Sequence, residues 1–138
     1  MYYKISKNLI VDSHGLRVLR KGKPINYDGL DLEKIDEVQI IRASKYISQL
    51  KQAKRINYDV SSYGLKHNAE EYLRKECGKD GDYYISNGAF ISAMLLGGFN
   101  YRIADMLMEK THLEESFGFL TSVNMYFNIY LKDLKKLK

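Results

Sequence analysis

An α+β fold is expected from three features: short turn-broken segments over positions 1–28, helical patterning across 31–113, and strict two-residue alternation from Val123. They predict one domain over 1–138, in which a small antiparallel sheet of N-terminal strands plus a C-terminal strand packs against three to four helices. Positions 1–28 form a β meander, 31–113 a helical core, and 117–138 a C-terminal strand and basic tail. A chain of 138 residues, 45% hydrophobic and 28% charged, has the ordinary globular balance and the length for one core.

In the meander, Tyr3 and Ile5, then Leu9-Ile10-Val11, then Leu16 and Val18 are separated by Asp12-Ser13-His14-Gly15 and followed by Lys21-Gly22-Lys23-Pro24, both with turn chemistry. Arg17, Arg20, Lys21 and Lys23 crowd the second turn and would present a basic tip. A helix is expected after Asp31, which can cap it, with Glu33 in the first turn. Leu32, Ala43, Tyr46, Ile47, Leu50 and Ala53 fall on one side of it, and Lys51, Lys54 and Arg55 gather at its end, where cations also complement the helix dipole.

A second helix is expected from about Ser62 to Glu76, with Leu65, Ala69, Tyr72 and Leu73 on one face, Lys66, Glu70 and Arg74 on the other, and Gly78 as its stop. The third is capped by Ser86, covers Ala89 to Leu96 and ends at Gly97-Gly98; apolar on every side, it belongs at the centre of the core. Although no charge interrupts Tyr83 to Tyr101, its strongly apolar part is too short to cross a bilayer. Ile103, Met106 and Leu107, with Leu113 as an optional member, suggest a further short helix. In the final strand Val123, Met125, Phe127, Ile129 and Leu131 face inward, while Asn124, Tyr126, Asn128 and Tyr130 face the other way.

The single cysteine, Cys77, excludes an intrachain disulfide, and no apolar leader pattern opens the sequence, so a bacterial cytoplasm is the expected location, with no membrane partner. Catalytic signals are sparse. His14, His67 and His112 make no ligand pair for zinc, no phosphate loop or nucleophile elbow is present, and Cys77 lies ten residues from His67, about 15 Å along one helix. No enzymatic activity, cofactor or metal is expected.

Charge is more informative. Residues 1–55 hold 12 Lys/Arg against 6 Asp/Glu, a net of +6, whereas 56–101 carry −2 and 102–138 carry +1, giving +5 overall. Such asymmetry suits an anionic partner, although a merely soluble basic surface accounts for it equally well. The twelve tyrosines could supply stacking surfaces, and tyrosine is also a protein-interface residue.

The block Ser61-Ser62-Tyr63-Gly64-Leu65-Lys66-His67, followed by Tyr84-Ile85-Ser86-Asn87-Gly88-Ala89-Phe90 and Gly98-Phe99, resembles small, mostly uncharacterised proteins of phages, plasmids and integrative elements. The resemblance spans about residues 57–130 and includes Tyr126-Phe127-Asn128-Ile129; Lys75 to Asp82 departs from it as an apparent insertion. It implies a mobile-element accessory protein and no particular activity. A helix-turn-helix reading would place Ser86-Asn87-Gly88 at DNA, but the connecting loop is long and the third helix lacks side chains for base edges. The alternative is a packing unit in which Gly64 and Gly88 permit close approach, leaving Lys66 and His67 facing a ligand.

The expectation is therefore a non-enzymatic protein binding nucleic acid or a nucleoprotein through Arg17, Arg20, Lys21, Lys23, Arg42, Lys45, Lys51, Lys54, Arg55, Tyr63, Lys66, His67 and Asn87. Its rival is an inhibitor of a host defence nuclease, of the anti-CRISPR type, bound to the effector itself. A homodimer through an exposed strand is a third option.

Overall fold

The computed structural model describes residues 1–6, 9–18, 32–103 and 124–136. Its first three strands, β1 (Tyr3–Ser6), β2 (Leu9–Asp12) and β3 (Gly15–Val18), form the expected antiparallel meander, with Val11 opposite Tyr3 on one side and Leu16 on the other. Ser13 and His14 make the β2–β3 turn, and Gly15 takes the positive φ of 136° that a side chain would resist. The fully buried Asp12 carboxylate secures this hairpin: Oδ1 accepts from His14 N at 3.0 Å, while Oδ2 accepts from Arg17 Nε at 3.1 Å and Glu33 N at 3.2 Å.

The chain over 32–36 is extended rather than helical. Ser13 N donates to Glu33 O at 2.8 Å, Ile35 N to Met1 O at 2.7 Å, and the terminal ammonium of Met1 to Ile35 O at 3.0 Å. With its backbone groups committed to the meander, this segment cannot close helical turns. Helix α1 (Glu37–Ile47) instead starts at Asp36, whose Oδ1 accepts from Val38 N at 2.9 Å. It also stops earlier than its amphipathic pattern suggests. Gln49 N and Leu50 N bond back three residues, to Tyr46 O and Ile47 O, and buried Leu50 leads into strand β4 (Gln52–Asn57).

Helix α2 (Ser62–Cys77) follows its expected span and ends at Gly78, with φ 102°, leaving Cys77 exposed. Helix α3 (Asn87–Leu96) is capped by Ser86 Oγ, which accepts from Ala89 N at 3.0 Å. It lies centrally, packed against α1, α2 and the meander, and is buried from Asn87 through Met94 before emerging at Leu96.

Strand β6 (Met125–Ile129) has the expected alternation, with Met125, Phe127 and Ile129 in the core, but it does not join the N-terminal strands. It is the centre of a second antiparallel sheet of order β4–β6–β5, where β5 is Tyr101–Ile103. Two three-stranded sheets with α3 in the core thus replace the single sheet, within the α+β class. A short helix α4 (Leu131–Lys136) follows β6, and the carboxylate of its Asp133 accepts from Lys51 N at 3.1 Å. Ile103 ends β5 rather than opening a helix. Asp31, Met106, Leu107, His112, Leu113 and Val123 lie outside the described residues. No described helix is long and apolar enough to cross a membrane.

Candidate nucleic-acid interface

The residues expected to bind a ligand separate into three groups. Arg17 and Asn87 are structural. Arg17 is 7% exposed, bonded to Asp12 and lying across its own hairpin, so it cannot form a basic tip. Asn87, 9% exposed, donates through Nδ2 to His14 O at 3.2 Å and to Asn124 Oδ1 at 3.0 Å. The polar chain continues through Ser62 Oγ, which accepts from Met125 N at 3.1 Å. The Ser62 and Asn87 blocks therefore join the meander, α2, α3 and β6 at one seam, and Gly88 donates its N–H to Ser13 O there at 3.0 Å. Asn87 is too enclosed to reach a base edge, so the helix-turn-helix reading fails at this position. Arg20, Lys21 and Lys23 lie outside the described residues.

The second group lies on the β4–β6–β5 sheet. Gln52 pairs with Ile129 and Asn57 with Phe127, so four residues of β4 stand opposite the single residue Asn128. The register therefore shifts between those pairs, and β4 carries extra residues there, as at a β-bulge. Asn128, nearly fully buried, fills the gap: Nδ2 donates to Ala53 O at 2.9 Å, and Oδ1 accepts from Asn100 N at 2.7 Å. Alternation alone places Asn128 with the outward residues, whereas here it replaces missing ladder bonds. The bulge carries Lys54 and Arg55, both exposed and without an ion pair among the described residues. These cations, with exposed Lys51 just before the strand, belong to an irregular sheet edge and not to the end of a helix. Lys45 is the basic residue that actually occupies the last turn of α1.

A groove of about 560 Å³ is lined by Lys54 and Ile56 from β4, Asn128 from β6, and Tyr101, Arg102 and Ile103 from β5. Arg102 pairs in register with Tyr126, whose ring lies 5.2 Å from that of Tyr58. A second groove, sharing Lys54 and Ile56, extends along β4 to Tyr58 and Tyr130, and Lys132 Nζ stands 5.2 Å from the Tyr130 ring. Two cations thus flank a cleft that adjoins an aromatic pair. Arg102 was missed in the sequence, and Lys132 was placed only in the basic tail, because their relation to Lys54 exists only through strand order; the local signals were that tail and the alternation of Tyr126 and Tyr130.

The third group lies at the start of α2. Lys66, expected to face solvent, is 5% exposed, because α2 packs its Lys66–Glu70 side under the loop before α3. Lys66 Nζ lies 3.6 Å from Glu70 Oε2, which also accepts from Ile85 N at 2.9 Å, and Glu70 Oε1 lies 3.1 Å from His67 Nδ1. The ammonium is 4.7 Å from the Tyr84 ring centre and 5.4 Å from that of Tyr63. Tyr63 and His67 remain exposed, as anticipated, and meet edge to face at 4.6 Å. Arg42, partly buried, donates to Tyr84 O at 3.0 Å and lies 3.8 Å from Asp82.

Among the described residues no three His, Cys, Asp or Glu side chains are placed to hold a metal ion. No protein-family model, no curated protein and no solved structure matches the chain.

Proposed function

We propose that this protein binds nucleic acid through the β4–β6–β5 face, contacting phosphates first and base faces second. The observation that carries the reading is the irregular β4 edge, which sets Lys54 across a groove from Arg102 and places Arg55 in the adjoining groove that reaches Tyr58 of the Tyr58–Tyr126 ring pair, neither Lys54 nor Arg55 having an ion pair among the described residues. Phosphate contacts need Lys or Arg, and exposed aromatic rings accept bases irrespective of sequence. The net charge of +5 supports the same choice of partner. The resemblance of the Ser62 and Asn87 blocks to mobile-element proteins agrees with an accessory role in which binding, and not catalysis, is the task.

Fluorescence anisotropy with a random-sequence single-stranded 12-mer tests this. If Lys54, Arg55, Arg102 and Lys132 each neutralise one phosphate, the logarithmic salt slope is about −2.8, a loss of about 50-fold between 50 and 200 mM salt. Replacing both Lys54 and Arg102 by alanine should halve that slope to about −1.4. Absence of oligonucleotide binding at 50 mM salt overturns the proposal. Together with a stable complex on a host nuclease, that result would favour the rival inhibitor reading, in which the same tyrosines and cations act as protein-interface anchors.

A further inference from the structure

Tyr63 on α2 and Tyr84 in the loop before α3 are 53% and 54% exposed, although both flank a buried ammonium. An exposed tyrosine ordinarily moves freely, but here the backbone that carries Tyr84 is tied down, the Lys66 ammonium lies against both rings, and the Tyr63 ring has a ring neighbour. Glu70 ties Lys66 to α2 and, through Ile85 N, ties the loop to the same helix; Arg42 holds Tyr84 from α1 through its carbonyl oxygen, and His67 braces the Tyr63 ring edge-on. Rings held in place beforehand lose little freedom on capturing a flat ligand.

The charge at this place is nearly balanced, Lys66 against Glu70 and Arg42 beside Asp82. The space beside the rings already holds the protein's own ammonium, so no second cation is wanted there, and the balanced charge gives a phosphate little purchase. What remains on offer is the aromatic surface. Tyr63 also follows Tyr58 by five residues, at most about 17 Å of chain, which brings the platform within a few nucleotides of the basic sheet face.

We infer that Tyr63 and Tyr84 form a stacking station for bases of a single-stranded nucleic acid whose phosphates lie on the β4–β6–β5 face. The inference rests on the nucleic-acid reading and narrows it to single strands, because base faces are hidden inside a duplex.

The experiment compares a single-stranded 12-mer with the matching 12-base-pair duplex on folded protein, using Tyr63→Leu, Tyr84→Leu and the corresponding phenylalanine variants, with circular dichroism as the check on folding. Each leucine variant should weaken single-strand binding by about 5- to 150-fold, the range for loss of one base–aromatic stack, and leave duplex binding unchanged. The phenylalanine variants keep the ring and should stay within about twofold of the parent. Leucine variants that bind the 12-mer as tightly as the parent, while the Lys54 and Arg102 substitutions still weaken it, would overturn the station and leave the sheet-face reading standing. Phenylalanine variants as weak as the leucine ones would also overturn it, since the hydroxyls would then be what is recognised. Failure of the parent protein to bind either oligonucleotide at 50 mM salt would remove both proposals together.

Discussion

Alanine at position 88 should destabilise the protein severely, against the trend of helix propensity. Gly88 sits in the first turn of α3 with a negative φ, so propensity alone predicts a gain of up to about 1 kcal/mol on introducing alanine. A Cβ there would overlap the carbonyl oxygen of Asp12, and would lie 2.6 Å from Asp12 C and 3.0 Å from Ser13 Cα. All three atoms belong to backbone, so no rotamer change relieves the clash. Restoring a contact of about 3.5 Å to Asp12 C alone requires the β2–β3 turn to retreat by about 1 Å, and clearing the carbonyl oxygen requires more. Gly88 N–Ser13 O and Asn87 Nδ2–His14 O would both be lost, at about 1 kcal/mol each, and overpacking adds about 1–3 kcal/mol. Less the propensity gain, the expected net loss is about 2–5 kcal/mol, a large share of a typical domain stability. With a urea m-value of about 2 kcal/mol/M, the unfolding midpoint should fall by about 2 M. A midpoint within about 0.3 M of the parent would refute the close backbone contact. Gly64→Ala is the comparison: its Cβ would meet the Val60 side chain at 2.9 Å and no backbone atom, so a methyl and not a turn has to shift and the loss should be clearly smaller than at position 88.

Lys66→Met should cost about 3 kcal/mol in urea unfolding, because it leaves Glu70 buried with only His67 and Ile85 N as partners; a loss below about 1 kcal/mol would mean that Lys66 is not paired in solution. Ser62→Ala removes the acceptor for Met125 N, and amide exchange at Met125 should accelerate about tenfold while α3 amides stay protected. Burial pushes the Tyr46 phenol from 10.0 up to about 12. Because the folded value is the higher, this group's contribution is fully present below pH 10 and is lost as pH rises from about 10 to 12. Tyr46→Phe keeps the rings packed on Tyr72 and Phe90, so unfolding measured from pH 9 to 12 should show an alkaline loss smaller by about 2–3 kcal/mol; an unchanged profile would contradict the burial.

At the candidate site, the structure separates the residues the sequence grouped together into three settings. Tyr63, His67, Lys54 and Arg55 are exposed as their surroundings suggested, whereas Arg17 and Asn87 are consumed by the seam between the meander and the helices. An arginine in a hairpin reads as a surface cation unless the carboxylate it faces is known to be buried. Asp12 lies five residues away, but its burial depends on Glu33 and on α3, which no local window contains. Lys66 is the same case in reverse: its helical face looks polar, and only the packing of the Tyr84 loop covers it.

By itself the sequence determined the elements whose instructions are local: the Asp12–Gly15 turn, the span of α2 to Gly78, the Ser86 cap with the apolar α3 behind it, and the alternation of β6. Each rests on contacts within a few residues or on an unbroken periodicity. Tertiary structure alone decided that 32–36 is extended, that α1 ends at Ile47, and that β6 pairs with β4 and β5 instead of the meander. Those outcomes turn on backbone hydrogen bonds between distant segments, where Met1 meets Ile35 and Gln52 meets Ile129. A backbone donor and acceptor are the same in every residue, so their choice of partner leaves no mark in composition or period; it is settled by which apolar faces the core must enclose.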